Sequence, residues 1–276
     1  MHDDRPLPGG RLDRWWRLLA TGLAFVVFGI SGGFFSVCFL PLMLLWPHRS
    51  SRQRAVTFGI HCFFRYLVAV LGRLRVMYVD VQGAERLRRL GPRIVVANHP
   101  TYLDVMVLLS MTPRACCVVK NAHWRNPCFW GIVRAASYVS NADPEALIRD
   151  GAKQLSRGYT VIVFPEGTRS PGPDRLHAFS RGFAHMALHA GAEIQPVLLH
   201  CAPAAFTKRM RWYDVPTKAF TLYVRMLDVL TPQQQMAAQR DDTTRPPSVA
   251  LAARRLTASV ETLMYQRLKD HGYIEI

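Results

Sequence analysis

Between residues 74 and 228 the chain alternates two rhythms. Short apolar runs rich in β-branched residues recur at Arg93 to Ala97, Ala115 to Val119, Thr160 to Phe164 and Ile194 to His200, each the length of a buried strand. Leu74 to Val81 reads as a strand before them. The stretches between carry helical spacing: Ala84 to Leu90, Asp104 to Leu109, Pro127 to Ala136 and Ser180 to Ala190, the last closed by Gly191. Asp143-Pro144-Glu145 is a helix start with Asp as N-cap, Pro at N1 and a carboxylate at the positive end of the dipole, and that helix should run to Arg157 and stop at Gly158. Lys218 to Asp228 sets Phe220, Leu222, Val224 and Met226 against Thr221, Tyr223 and Arg225, as in a strand near a sheet edge. Thr231 to Ser248 is polar and reads as a linker, and Val249 to His271 as a closing amphipathic helix. The pattern predicts an α/β fold, a mostly parallel mixed sheet flanked by helices on both faces.

The first 72 residues follow a different rule. Leu18 to Trp46 holds no charged residue and, as helix, exceeds the roughly 30 Å hydrocarbon core of a bilayer. Arg11, Arg14 and Arg17 beside Trp15 and Trp16 precede it, Arg49, Arg52 and Arg54 follow it, and Gly29, Gly32, Gly33 and Pro41 interrupt it. A re-entrant hairpin that keeps both basic flanks on the cytoplasmic side and a single tilted span both fit. Ala55 to Gly72 is a second helix, lying in the interface or roofing the core, with Gly72 as its C′ residue. The chain thus divides into an N-terminal membrane-associated helical segment (1–72), a main domain (73–230), and a linker with a C-terminal helix (231–276).

Composition adds one constraint. The formal charge of +16 over 276 residues calls for an acidic partner: nucleic acid, an anionic membrane surface, or an acidic carrier or substrate. No helix-turn-helix, zinc-finger or RNP-like pattern supports nucleic acid, so the expectation is no nucleic acid. The six cysteines show neither C-x-x-C spacing nor a zinc-type cluster, which points to free thiols and no metal site. His185 and His189 read as ordinary helix-face histidines. Lys208, Arg209 and Arg211 with Trp212 and Tyr213, and the run Arg86, Arg88, Arg89 and Arg93, are basic patches suited either to headgroups or an acidic carrier, or to plain solvation.

Two polar loops carry the chemistry. Asn98-His99-Pro100-Thr101-Tyr102-Leu103-Asp104 and Phe164-Pro165-Glu166-Gly167-Thr168-Arg169-Ser170 each leave a buried strand at the same end of the sheet, where open α/β sheets bind ligands. If Pro100 starts a tight turn, the Asp104 carboxylate folds back to His99, keeps one ring nitrogen protonated and leaves the other as a general base. No Ser or Cys stands at a nucleophile elbow, so the base acts on a hydroxyl brought by the substrate. Gly167 lets a ligand approach the backbone, and Arg169 offers a fork for phosphate or carboxylate. Glu166 has two options, orienting Arg169 or accepting from an acceptor hydroxyl.

Taken together, N-H-x-x-x-x-D and F-P-E-G-T-R-S, with Asn126-Pro127, Gly131, Arg181-Gly182 and Ile194-Gln195-Pro196-Val197 between and after them, resemble the glycerolipid acyltransferases of the 1-acyl-glycerol-3-phosphate acyltransferase (PlsC-like) type over about residues 75 to 230. The resemblance implies acyl transfer from acyl-CoA or acyl-carrier protein to a lysophospholipid hydroxyl at the cytoplasmic face of the inner membrane, with no metal or other cofactor. His99 is then the base, Asp104 orients it, and Asn98, Glu166, Gly167, Thr168 and Arg169 bind the acceptor. One departure stands out: where the family's second block ends a strand in a phosphate-binding arginine, Ser137-Tyr138-Val139-Ser140 ends here in Asn141. The contact would pass to Lys120, Arg134 or Arg181, or the acceptor would lack a phosphate. A catalytically silent lipid-binding protein of the same fold is the rival reading.

Overall fold

A computed structural model describes residues 10–34, 37, 45–46, 48–88, 91–172, 175–232 and 248–270. Seven strands form one sheet in the order β1-β7-β6-β2-β5-β3-β4: β1 is Met77–Gln82, β2 Arg93–Ala97, β3 Ala115–Val119, β4 Val139–Ser140, β5 Thr160–Val163, β6 Glu193–Ala202 and β7 Phe220–Met226. Strands β6, β2, β5, β3 and β4 run parallel, while β7 is antiparallel to β6 and takes β1 with it. The described helices are α1 (Arg11–Phe34), α2 (Arg49–Arg73), α3 (Ala84–Arg88), α4 (Asp104–Met111), α5 (Asn121–Arg125), α6 (Pro127–Ala135), α7 (Pro144–Ser156), α8 (Gly182–Ala190) and α9 (Val249–Asp270).

Strand period 2 sorts the core. In β2, Val95 and Ala97 join one cluster with Val56 and Ile60 of α2 and Val107 and Leu108 of α4. Ile94 and Val96 face the other way, onto Leu155 of α7, Phe183 and Met186 of α8, and Leu256 and Val260 of α9. Ile94 to Ala97 are all fully buried, which is why the strand reads as a continuous apolar run rather than an alternation. The C-terminal helix therefore belongs to the packed domain. Helices α7 and α8 approach closely because Gly151 and Gly182 lack side chains: an added Cβ would stand 2.3 Å from Met186 Cε and 2.7 Å from Leu147 Cδ2 respectively.

Helix ends follow capping chemistry. Asp143 accepts from the backbone N–H groups of Glu145 and Ala146, as its sequence position predicts. Gly158 and Gly191 end α7 and α8 at φ +80° and +61°. The second helix departs from expectation at both ends. It begins at Arg49, because Gln53 is buried and its amide donates to Gln154 Oε1 at 2.7 Å and to the Ala136 carbonyl at 3.3 Å. It runs through Gly72, and the left-handed residue is Arg75 (φ 55°), with Val76 N–H on Leu71 O and Arg75 N–H on Gly72 O, a Schellman close. Residues 74–76 are spent on that close, so β1 starts at Met77.

In the N-terminal segment, α1 packs against α2 and α6. Its interruptions do not break it before Phe34, and most of the stretch from there to Trp46 lies outside the described residues, as does most of the linker 231–248. Arg17, read from sequence as part of an interfacial basic flank, is instead buried and donates to the Thr217 carbonyl. On its other side α1 exposes Leu12, Leu19, Leu23, Val26, Ile30 and Phe34. Helix α2, 25 residues long, is the one described helix long and apolar enough to cross a membrane, yet Val56, Ile60, Leu67 and Leu71 pack it on the domain.

Candidate active site

The two polar loops leave neighbouring strands, since β2 and β5 pair in parallel with Val96 opposite Val163. Both lie at the carboxyl edge of the parallel half of the sheet. Asp104 opens α4, and its Oδ2 accepts from His99 Nδ1 at 2.8 Å and from the Thr101 N–H at 2.8 Å, while Oδ1 accepts from Thr101 Oγ1 at 2.7 Å. The carboxylate is wholly buried and the imidazole 18% exposed. Burial pushes the Asp104 carboxyl above its ordinary value, and the bonds from His99 and Thr101 offset only part of that. With Nδ1–H held by a carboxylate, Nε2 carries the lone pair. The Phe164 ring lies 4.5 Å from the imidazole, centroid to centroid, and restricts its tilt.

Glu166 does not orient Arg169, the first of the options open to it from sequence. Its Oε1 accepts from His99 N–H at 3.1 Å and from Ser170 Oγ at 2.6 Å, and its Oε2 from His177 N–H at 2.8 Å. Ser170 N–H returns to the His99 carbonyl at 2.7 Å. The carboxylate thus clamps the second loop onto the backbone of His99 and does not pair with Arg169. Burial raises its pKa also, against the three hydrogen bonds. Asn98 likewise faces inward: its amide donates to Leu199 O at 2.8 Å and its carbonyl accepts from Leu199 N–H at 2.7 Å. It continues the β2–β6 pairing past the strand end, which fixes where His99 begins.

Gly167 adopts φ +65° and is exposed, and Thr168 is half-buried beside it. Arg169 donates through Nη1 to the carbonyls of Phe206 and Thr207 at 3.0 and 2.7 Å, and its guanidinium lies 3.6 Å above the Tyr102 ring centroid. Lys120, at the exit of β3, and Arg181, just before α8, are exposed at the same sheet edge and make no side-chain hydrogen bond among the described residues. Arg134 stacks on Trp130 of its own helix at 4.7 Å. Asn141, after β4, accepts from the Asn121 N–H at 3.3 Å. Of the basic run near β1, Arg86 donates to Leu227 O and Arg93 to Arg86 O. The Tyr102 and 206–207 contacts went unread in the sequence; an aromatic inside the first motif was their only signal.

A fold of this topology, with a histidine–carboxylate pair on one loop and an arginine on its neighbour, defines a class. Residues 78–200, the span that holds both polar loops, match the Acyltransferase family model. Among similar proteins, the 1-acyl-sn-glycerol-3-phosphate acyltransferase of Cocos nucifera is 28% identical over 192 residues, 65% of this chain and 59% of that protein. The Mus musculus alpha form is 26% identical over 145 residues, half of each chain. The chain spans less than two thirds of the length of these curated relatives. The crystal structure of the 1-acyl-sn-glycerophosphate acyltransferase PlsC from Thermotoga maritima superposes with a TM-score of 0.66 over 94% of this chain and 99% of that one, at 21% identity, and so shares the fold.

Proposed function

We propose that the protein moves a fatty acyl group from acyl-CoA or acyl-carrier protein to the free hydroxyl of a lysophospholipid such as 1-acyl-glycerol-3-phosphate. The observation that carries this reading is the pair formed by His99 Nδ1 and the buried Asp104 Oδ2 at 2.8 Å, with a half-buried arginine on the adjoining loop. Nε2 of His99 takes the hydroxyl proton as the oxygen attacks the thioester carbonyl. A C–O bond forms, the tetrahedral oxyanion collapses, the C–S bond breaks, and the leaving thiolate takes the proton back from His99. No enzyme-bound acyl group is needed. The backbone N–H groups of Thr168 and Arg169 have no partner among the described residues, whereas those of His99, Thr101, Gly167 and Ser170 are engaged; the free pair is the candidate donor set for the oxyanion. Arg169 receives the acceptor phosphate. The chemistry requires no metal.

The apolar face of α1 and the +16 charge support a membrane-bound enzyme working at the cytoplasmic face of the inner membrane, where both substrates meet. Asn141 supports a second reading in which the acceptor lacks a phosphate, because its amide is engaged at Asn121 rather than offering a cation.

The test is thioester consumption by the full chain in detergent, with both donors and with lysophosphatidate against monoacylglycerol. Wild type should turn over, and His99→Ala should fall roughly 10²–10⁴-fold while keeping its far-UV dichroism. Equal turnover by the two proteins would remove His99 as the base, and no turnover by wild type with either acceptor would sink the proposal in favour of a silent lipid binder.

A further inference from the structure

Tyr102 occupies a position to which neither the base nor its orienting carboxylate assigns work. It is 58% exposed, so burial does not account for an aromatic there. Among the described residues its ring makes one such contact, carrying the Arg169 guanidinium 3.6 Å above its centroid. On Arg169 itself, both hydrogens of Nη1 are directed to main-chain oxygens, of Phe206 and Thr207. Two separate stretches of chain therefore grip one side chain, by a face and by one nitrogen. Among the described residues no carboxylate pairs with it, and the nearest carboxylate in sequence, Glu166, is occupied by His99, Ser170 and His177.

A guanidinium has five N–H donors in a rigid plane. With Nη1 spent on carbonyls and one face spent on the ring, what remains is the Nε–Nη2 edge, whose two parallel N–H bonds match a pair of phosphate oxygens. Left to itself, an arginine side chain would surrender rotamer freedom each time it bound. Held by the ring and the two carbonyls, it meets the anion already oriented.

We propose that Tyr102 is a positioning residue for Arg169, holding the Nε–Nη2 edge ready for the phosphate monoester of the acceptor. This deepens the functional reading above and rests on it for the identity of the anion. Tyr102 acts through Arg169 and does not touch the reacting atoms. Its contribution lies in its π-face, so Phe should replace it and an aliphatic residue should not.

The experiment uses the full chain in detergent with Tyr102→Phe, Tyr102→Leu and Arg169→Ala. For lysophosphatidate, Tyr102→Leu should raise the acceptor KM by about three- to thirtyfold, the range expected for losing a cation–π contact, with kcat and the donor KM unchanged. Tyr102→Phe should restore the wild-type KM, and monoacylglycerol should not distinguish Tyr102→Leu from Tyr102→Phe. A fall in kcat without a KM change, or no rescue by Phe, overturns the proposal. Binding of dodecyl phosphate by titration calorimetry separates this proposal from the acyl-transfer reading: wild type and Tyr102→Phe should bind alike, and Tyr102→Leu and Arg169→Ala more weakly. That ranking with no acyl transfer would leave the positioning role standing and remove the acyltransferase reading. Equal affinity in wild type and Tyr102→Leu, or no binding by wild type, overturns the positioning role itself.

Discussion

The two arms of the site are built in opposite ways. The His99–Asp104 arm closes within one loop and the first turn of α4, and Thr101, between them, supplies two of the bonds that hold the carboxylate. The Arg169 arm is gripped by a ring from the first loop and by carbonyls beyond β6. Local chemistry sets the first, and tertiary folding sets the second. In the proposed reaction the base must keep its tautomer and orientation through every turnover, which a short covalent tether secures. The arm proposed to hold the anion has only to present a charged edge, and contacts gathered from afar serve for that.

The sharpest way to break this contrast is Asp104→Asn. The amide can still meet Thr101, but it no longer stabilises the imidazolium and can favour the wrong tautomer. We expect kcat to fall by roughly 10²–10⁴-fold with the acceptor KM nearly unchanged, since the arginine arm is untouched. Steady-state kinetics across acceptor concentrations decide it; a KM effect as large as the kcat effect would mean that the two arms are one unit.

Glu166 joins the two arms, and its replacement reads out folding rather than chemistry. In Glu166→Gln the side-chain NH2 opposes one of the N–H groups now accepted, His99 or His177, at a cost of about 1–3 kcal/mol of stability. The pH dependence has a definite sign. The folded pKa is raised by burial, so the proton's contribution to stability is complete below the unfolded value and is lost as pH rises through the folded one. The Gln variant cannot titrate here. The stability difference, wild type minus variant, should therefore be largest at the acid end and shrink as pH rises through the window just above the ordinary glutamate range. Urea midpoints for both proteins across that window check it, and a difference that grows with pH would contradict the burial argument.

The same contrast explains what the sequence made readable. The strand Ala115–Val119 and the helix launched by Asp143 depend on neighbours in the chain, and both lie where the pattern puts them. The dyad, five residues apart, was visible for the same reason. Glu166 was not: of its three partners only Ser170 belongs to its own loop, and the fold brings His99 and His177 to it from two other stretches of chain. Arg17 misled because a basic residue beside tryptophans looks interfacial until a carbonyl 200 positions away supplies its partner. The reversal of β7 and β1 also escaped, because an apolar strand carries no mark of its direction. Gln53 hid the start of α2, its buried bond to Gln154 being invisible in a polar flank.

Asn141 offers the smallest effect and the finest cut between the arms. It follows β4, two strand spacings or about 10 Å from the end of β5, on the edge that carries both loops. A cation there would lie within reach of a phosphate only if the acceptor's headgroup extends along the edge past β3. Asn141→Arg gives up one long hydrogen bond to Asn121 and adds an exposed cation. If the phosphate passes that way, the lysophosphatidate KM should fall by about two- to fivefold, the scale of a solvent-exposed charge contact, and the gain should fade with added salt. An unchanged KM would mean that the phosphate is held by the Arg169 arm alone. The departure at residue 141 would then record a headgroup confined to the two loops, and the arm assembled from distant contacts would be sufficient without a second cation.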